Sequence, residues 1–254
     1  MVGAKNILKY MNVVAFALTV TVNGLAGGTT LLGGKLTSQV SDANPTLITP
    51  AGYVFSIWGV IYILLGIFVV YQLLQSQKEK TFHERISWLF VASCLLNIFW
   101  LFLWQYEYLS ISVVLMFMLL ATLIAIYLRL NIGKSTVPLR EKLAVHMPFS
   151  VYLSWITIAS IANVAVTLVS VGWDGFGINP ETWTILIIIV ALLITLLVIA
   201  TRKDIAYGLV ILWALLGIAV NQSATPNIAT TTEISAVMIM IALASSIVAS
   251  RLRR

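Results

Sequence analysis

Apolar residues run through this chain in long, nearly unbroken blocks, at roughly 10–32, 51–75, 86–105, 109–128, 147–171, 182–200, 205–222 and 233–250. Each block approaches the ~20 residues that cross a hydrocarbon core as α-helix. The pattern therefore predicts an all-α integral membrane protein with about eight transmembrane helices. A β-barrel is excluded in practice, because its strands need alternating rather than continuous apolar positions. The polar segments between blocks are short and leave no room for a soluble domain. The stretch 33–49, GGKLTSQVSDANPTLIT, is long enough to fold over one end of the bundle as a lid. The stretch 129–146, RLNIGKSTVPLREKLAVH, carries a basic run begun by Pro138, read either as lying along an anionic inner leaflet or as a solvated connector.

Three blocks carry rings at helical spacing. Phe55, Trp58 and Tyr62 fall within roughly a 60° arc of the second predicted helix. Gly52, Gly59 and Gly66 recur every seven residues beside them, a stripe that would admit a neighbouring backbone or a second copy of the chain. Asn97, Trp100, Trp104 and Tyr108 share one side of the third helix, and Tyr152, Trp155, Ala159 and Asn163 one side of the fifth. An amide in hydrocarbon needs a partner. Two amides among converging rings suit a chamber for a flat, largely apolar ligand with polar edges. The same stripes also fit plain helix–helix packing. Trp88, Trp173 and Trp183 stand at helix ends, where tryptophan anchors a span at the interface. In the seventh helix Trp213, Gly217 and Asn221 repeat the spacing of Trp155, Ala159 and Asn163, which allows a second pocket.

Composition agrees with the block pattern: 60% of residues are hydrophobic and 9% charged, against about 25% charged in soluble proteins. The net charge of +6 needs no nucleic-acid partner. With eight helices, Lys5, Lys9, Lys78, Lys80, Arg85, Arg129, Lys134, Arg140, Lys142, Arg202, Lys203, Arg251, Arg253 and Arg254 all fall on one side, and Lys35 alone on the other. The positive-inside rule then makes both termini cytoplasmic. The basic start could imitate a signal peptide, but the apolar run continues through NGLAGGTTLLGG without a clear cleavage site, so it is read as a retained first helix.

All nine carboxylates fall in or beside predicted loops, which counts against an ion-driven transporter. His83 and His146 are far apart in sequence, and Cys94 is single, so no metal site or disulfide is expected. No nucleophile-and-base set and no phosphate-cradling loop is present.

Pro50 to Tyr62, PAGYVFSIWGVIY, resembles the second-helix signature of the translocator protein (TspO) family, also called tryptophan-rich sensory proteins or peripheral benzodiazepine receptors. Asn97-x-x-Trp100 looks like that family's third-helix motif, and Tyr152-Leu-x-Trp155 with Ala159 and Asn163 matches its fifth-helix motif. The resemblance covers roughly residues 7–170. It implies a five-helix bundle at 1–172, with three further transmembrane helices at 173–254. It also implies a ligand pocket between helices two, three and five under the first loop. Trp58, Tyr62, Asn97, Trp100, Tyr152, Trp155 and Ala159 would bind the ligand, while Pro50, Gly52, Gly59, Gly66 and Asn163 would be structural. The ligand would be a porphyrin, a haem-like molecule or another hydrophobic molecule or lipid, with no covalent cofactor, and a homodimer would fit the family. Tetrapyrrole degradation is implied by resemblance only. Two residues rather than three separate Phe55 from Trp58, and the lid lacks the family's tryptophans. The expectation is a non-enzymatic binding protein of the bacterial inner membrane acting as sensor, carrier or regulator. The alternative is a transporter of a small neutral or lipid-like solute through all eight helices.

Overall fold

The structure, a computed structural model, describes residues 2–77 and 80–252, without the side chains of 2–6 and 251. Lys78, Glu79, Arg253, Arg254 and the side chains of Lys5 and Arg251, all part of the charge reading, lie outside the described residues.

Eight long helices form where the apolar blocks predict them, and among the described residues there is no strand. They are α1 (Val2–Gly28), α3 (Ile57–Leu73), α5 (Leu89–Gln105), α6 (Leu109–Leu130), α8 (Met147–Ser170), α9 (Pro180–Arg202), α10 (Ile205–Asn221) and α11 (Pro226–Leu252). Three short pieces, α2 (Thr37–Asp42), α4 (Phe82–Ile86) and α7 (Leu139–Glu141), sit in the connectors. Six helical segments, α3 together with the 3₁₀ turn that precedes it among them, are long and apolar enough to cross a bilayer, and α5 and α10 are shorter apolar helices of 17 residues each. This is an all-α membrane protein.

Several boundaries differ from the sequence reading. The basic run after Pro138 is not a separate surface segment: α7 passes through a π-turn at Lys142–His146 straight into α8, making one helical run from Leu139. α11 begins at Pro226, ahead of the 233–250 block, so Glu233 lies exposed in its third turn, and its 27 residues are longer than the hydrocarbon requires. The second transmembrane segment opens with a tight 3₁₀ turn at Gly52–Ser56 before α3 begins. Pro50 therefore precedes the helix rather than starting it.

Packing closes the first five long helices into a ring in the order α1, α5, α6, α8, α3. Amides join its members: Asn12 Nδ2 donates to Gln72 Oε1 at 2.9 Å (α1 to α3), and Asn23 Nδ2 to Asn97 Oδ1 at 2.7 Å (α1 to α5). Such bonds between membrane helices contribute ~0.6 to 2 kcal/mol each. The half of the ring away from the lid is filled by Phe68, Phe90 and Phe149, with centroids 5.0–5.9 Å apart. These rings carry no polar atom, and beside Phe68 a smaller cavity of about 280 Å³ opens among Asn12, Gln72, Phe82 and Trp88.

The last three long helices pack on one another and meet the ring mainly where α10 lies along α8. At the end opposite the lid, the buried Asp204 accepts from Tyr127 Oη (2.8 Å) and Ser150 Oγ (2.6 Å), while Ser154 Oγ donates to the Tyr207 carbonyl (2.8 Å).

Candidate functional site

The lid-side half of the ring holds tryptophans where the other half holds phenylalanines, and it does not close. Phe55, Trp58, Tyr62, Trp100, Trp104 and Trp155 surround a cavity of about 490 Å³. This volume lies within the usual ~300–1,000 Å³ of small-molecule sites. Ile158, Ala159, Ala162 and Val166 of α8 complete its apolar wall, and Asn23, Asn163 and Asn221 supply amides.

Trp58 is the hub of the cluster. Its ring stacks near those of Tyr62 (5.7 Å) and Trp100 (6.5 Å) and meets those of Tyr152 and Trp155 edge-on at 6.2 Å. Phe55 also reaches the wall, 5.8 Å edge-on from Trp155, because the 3₁₀ turn carries it there. Two polar atoms of the wall are buried without a hydrogen-bond partner among the described residues, Tyr62 Oη and Trp155 Nε1. Trp155 is 2% exposed. A buried donor left unpaired costs on the order of 1–3 kcal/mol. A ligand acceptor would relieve that cost.

The lid folds over this opening. Thr37, Ser38, Ser41 and Asp42 of α2, with Thr49, line the mouth. α5 holds the lid from below. Trp104 Nε1 donates to the Thr37 carbonyl (3.1 Å) and Gln105 Nε2 to the Lys35 carbonyl (2.9 Å), while Lys35 pairs with Glu107.

Not every residue singled out from the sequence lies at this cavity. Trp58, Tyr62, Trp100, Trp155 and Ala159 line it, as do Pro50, Gly52 and Asn163. Asn97 and Tyr152 do not. Asn97 is wholly buried behind the wall, accepting from Asn23, and Tyr152 stands behind Trp58. The geometric reason is depth: Asn97 shares its side of α5 with Trp100, Leu101 and Trp104 but lies about one turn further from the lid, where it is closed in against Asn23 of α1. Asn163 bonds between helices, accepting from Trp100 Nε1 (2.8 Å) and donating to Ser112 Oγ (3.0 Å).

The glycine stripe also differs from expectation. A side-chain carbon at Gly52 or Gly59 would touch nothing in this chain, and one at Gly66 would meet only Phe16, at 3.5 Å. The tight glycine is Gly217 of α10, where an added Cβ would overlap Val54 and come 3.2 Å from Pro50. Around it, the Ala51 amide donates to the Gly217 carbonyl (3.0 Å), Trp213 Nε1 to the Val54 carbonyl (3.1 Å) and Asn221 Nδ2 to the Thr49 carbonyl (3.0 Å). The Trp213–Gly217–Asn221 face is thus no second pocket. It is a latch on residues 49–54, which form one wall of the cavity.

Sequence reasoning missed Asn23, Asp42 and this latch. Asn23 and Asp42 carried a signal, as polar residues at the end of an apolar helix and inside the lid; the latch partners of Trp213 lie some 160 residues away in sequence.

Fold and site together define a polytopic helical membrane protein with a lidded aromatic cavity. The family described as TSPO-like protein matches residues 9–245, from within α1 to within α11, and the chain belongs to that family. No curated protein and no solved structure matches it. Membership makes it a membrane protein of a family that binds or transports hydrophobic ligands and is generally non-enzymatic.

Proposed function

We propose that this chain is a non-enzymatic binding protein, acting as sensor, carrier or regulator, for a flat hydrophobic ligand of tetrapyrrole-like shape held in the lid-side cavity. The observation that carries the reading is the six-ring wall in which Tyr62 Oη and Trp155 Nε1 are buried without a protein partner. The aromatic lining suits a planar molecule, and the two unpaired groups, buried in the wall, would donate to its polar edge once a ring turns toward the space. Trp58, Tyr62, Trp100, Trp155 and Ala159 would touch it; Asn97 and Tyr152 would support the wall from behind.

On this reading the lid faces outward from a bacterial inner membrane with both termini cytoplasmic. The exposed Gly59 face of α3 is where a second copy would pack. Transport through all eight helices is the less favoured reading, since the α10 face that suggested it is spent on the latch.

The test is titration of the detergent-purified protein with protoporphyrin IX dimethyl ester, a neutral flat ring, followed by tryptophan quenching. Saturable quenching that weakens in Trp155→Leu is the expected result. Equal, non-saturating quenching in both proteins means partition into the micelle and removes the proposal.

A further inference from the structure

The charge of the cavity carries a conclusion about its ligand that the aromatic wall alone does not. Among the residues lining the cavity, Asp42 is the one ionised side chain, and no lysine, arginine or histidine joins it. Asp42 ends α2 at the mouth, is exposed, and forms no hydrogen bond or ion pair with a described residue. The surrounding end of the bundle has the same sign. Its connectors and helix ends hold Glu107, Asp174, Glu181 and Glu233 besides Asp42, against Lys35, which is already paired with Glu107. Deeper in, the lining is built from six aromatic rings, and the face of an aromatic ring attracts a cation. The unpaired donors of the wall, Trp155 Nε1 and Tyr62 Oη, are closed off from the space and would meet a neutral acceptor once a ring turns.

From this arrangement we infer that the site selects flat aromatic ligands by charge, favouring a cationic group at the lid with a neutral hydrogen-bond acceptor inside, and disfavouring dicarboxylates. The inference rests on the cavity being the ligand site proposed above. A dianionic tetrapyrrole entering here would bring its carboxylates beside Asp42 with no basic residue to receive them. A cationic ring of the same shape would place its charge against that carboxylate and over the tryptophans. Asp42 is then a specificity-determining residue that touches the ligand's charged edge, not its ring.

Three derivatives of one ring separate charge from shape: protoporphyrin IX as the free diacid, as the dimethyl ester, and as the bis(dimethylaminoethyl) amide. Each is titrated at pH 7.5 in an uncharged detergent against the wild type, Asp42→Asn and Asp42→Lys. The expected order in the wild type is amide, then ester, then diacid. The extremes should differ by roughly tenfold in Kd at 0.15 M salt, a modest factor because the carboxylate is exposed and screened. Asp42→Asn should bring the three within about twofold to threefold, and Asp42→Lys should reverse the order. Raising the salt should narrow the wild-type spread while leaving the ester unchanged.

Saturable binding of the diacid as tight as that of the amide in the wild type overturns the charge selectivity and leaves the cavity reading standing. An unchanged spread in Asp42→Asn overturns the role of Asp42. Failure of all three derivatives to saturate removes the cavity reading and the inference with it. Unchanged melting temperatures in the Asp42 variants, expected of an exposed lid residue, separate these outcomes from misfolding.

Discussion

Two faces of this protein carry a tryptophan, a small residue and an asparagine at the same spacing and end in opposite roles. Trp155, Ala159 and Asn163 lie on α8; Trp213, Gly217 and Asn221 lie on α10. On α8 the tryptophan N–H is unpaired and its ring borders open space, while on α10 the N–H is bonded to Val54 and the face is covered by residues 49–54. The middle residue marks the divergence. Gly217 has no side chain, so Pro50 and Val54 sit against its backbone and Ala51 bonds its carbonyl. Ala159 keeps a methyl in the wall, and the chain opposite stays away from it. A shared motif therefore specifies a surface, and what stands opposite decides whether that surface is a chamber or a clamp.

The comparison can be broken most severely at Gly217. Gly217→Ala places a carbon into Val54, an overpacking expected to cost ~1–3 kcal/mol. The lower melting temperature should come with loss of ester binding by tenfold or more, because the displaced segment is a cavity wall. Unaltered melting would mean that α10 does not clamp 49–54. Next in size is Trp155→Leu, which removes the ring facing Phe55 and Trp58. Quenching titrations should show about tenfold weaker binding, ~1.4 kcal/mol of lost ring contact, with circular dichroism unchanged.

A smaller effect is expected from Asn221→Ala, which deletes a single bond to the Thr49 carbonyl. At ~0.5–1 kcal/mol, affinity should fall about threefold, and a tenfold fall would instead place Asn221 in direct contact with ligand. Smallest for binding is Asn97→Ala. Its loss frees the amide of Asn23 and should lower stability by ~1–2 kcal/mol, yet affinity should stay within about twofold because Asn97 is behind the wall. If binding collapses while melting holds, Asn97 reaches the ligand and the boundary of the cavity lies one turn deeper.

Much of the architecture was legible from one sequence because the bilayer imposes a simple rule. Every spanning segment must be long, apolar and helical, so eight helices and their order could be read from the blocks, and the run at 33–49 could be recognised as a lid. The aromatic faces followed from helical period alone, and five of the seven expected ligand-wall residues line the cavity.

How deep the cavity reaches was not legible. Asn97 and Leu101 share one side of α5, yet only Leu101 lines the space, while Asn97 is closed in against Asn23, a partner 74 residues away. Nor was the glycine contact legible: periodicity shows that a face is smooth, not what lies against it, and within this chain Gly59 meets nothing while Gly217 is packed to contact. The sequence by itself determined the class of protein, the number of spans and which faces carry rings, since these follow from local period and the exclusion of unpaired backbone from hydrocarbon. Only the tertiary structure decided which of two like faces stays open and which residue guards its mouth, because those depend on what long-range packing brings opposite each side chain.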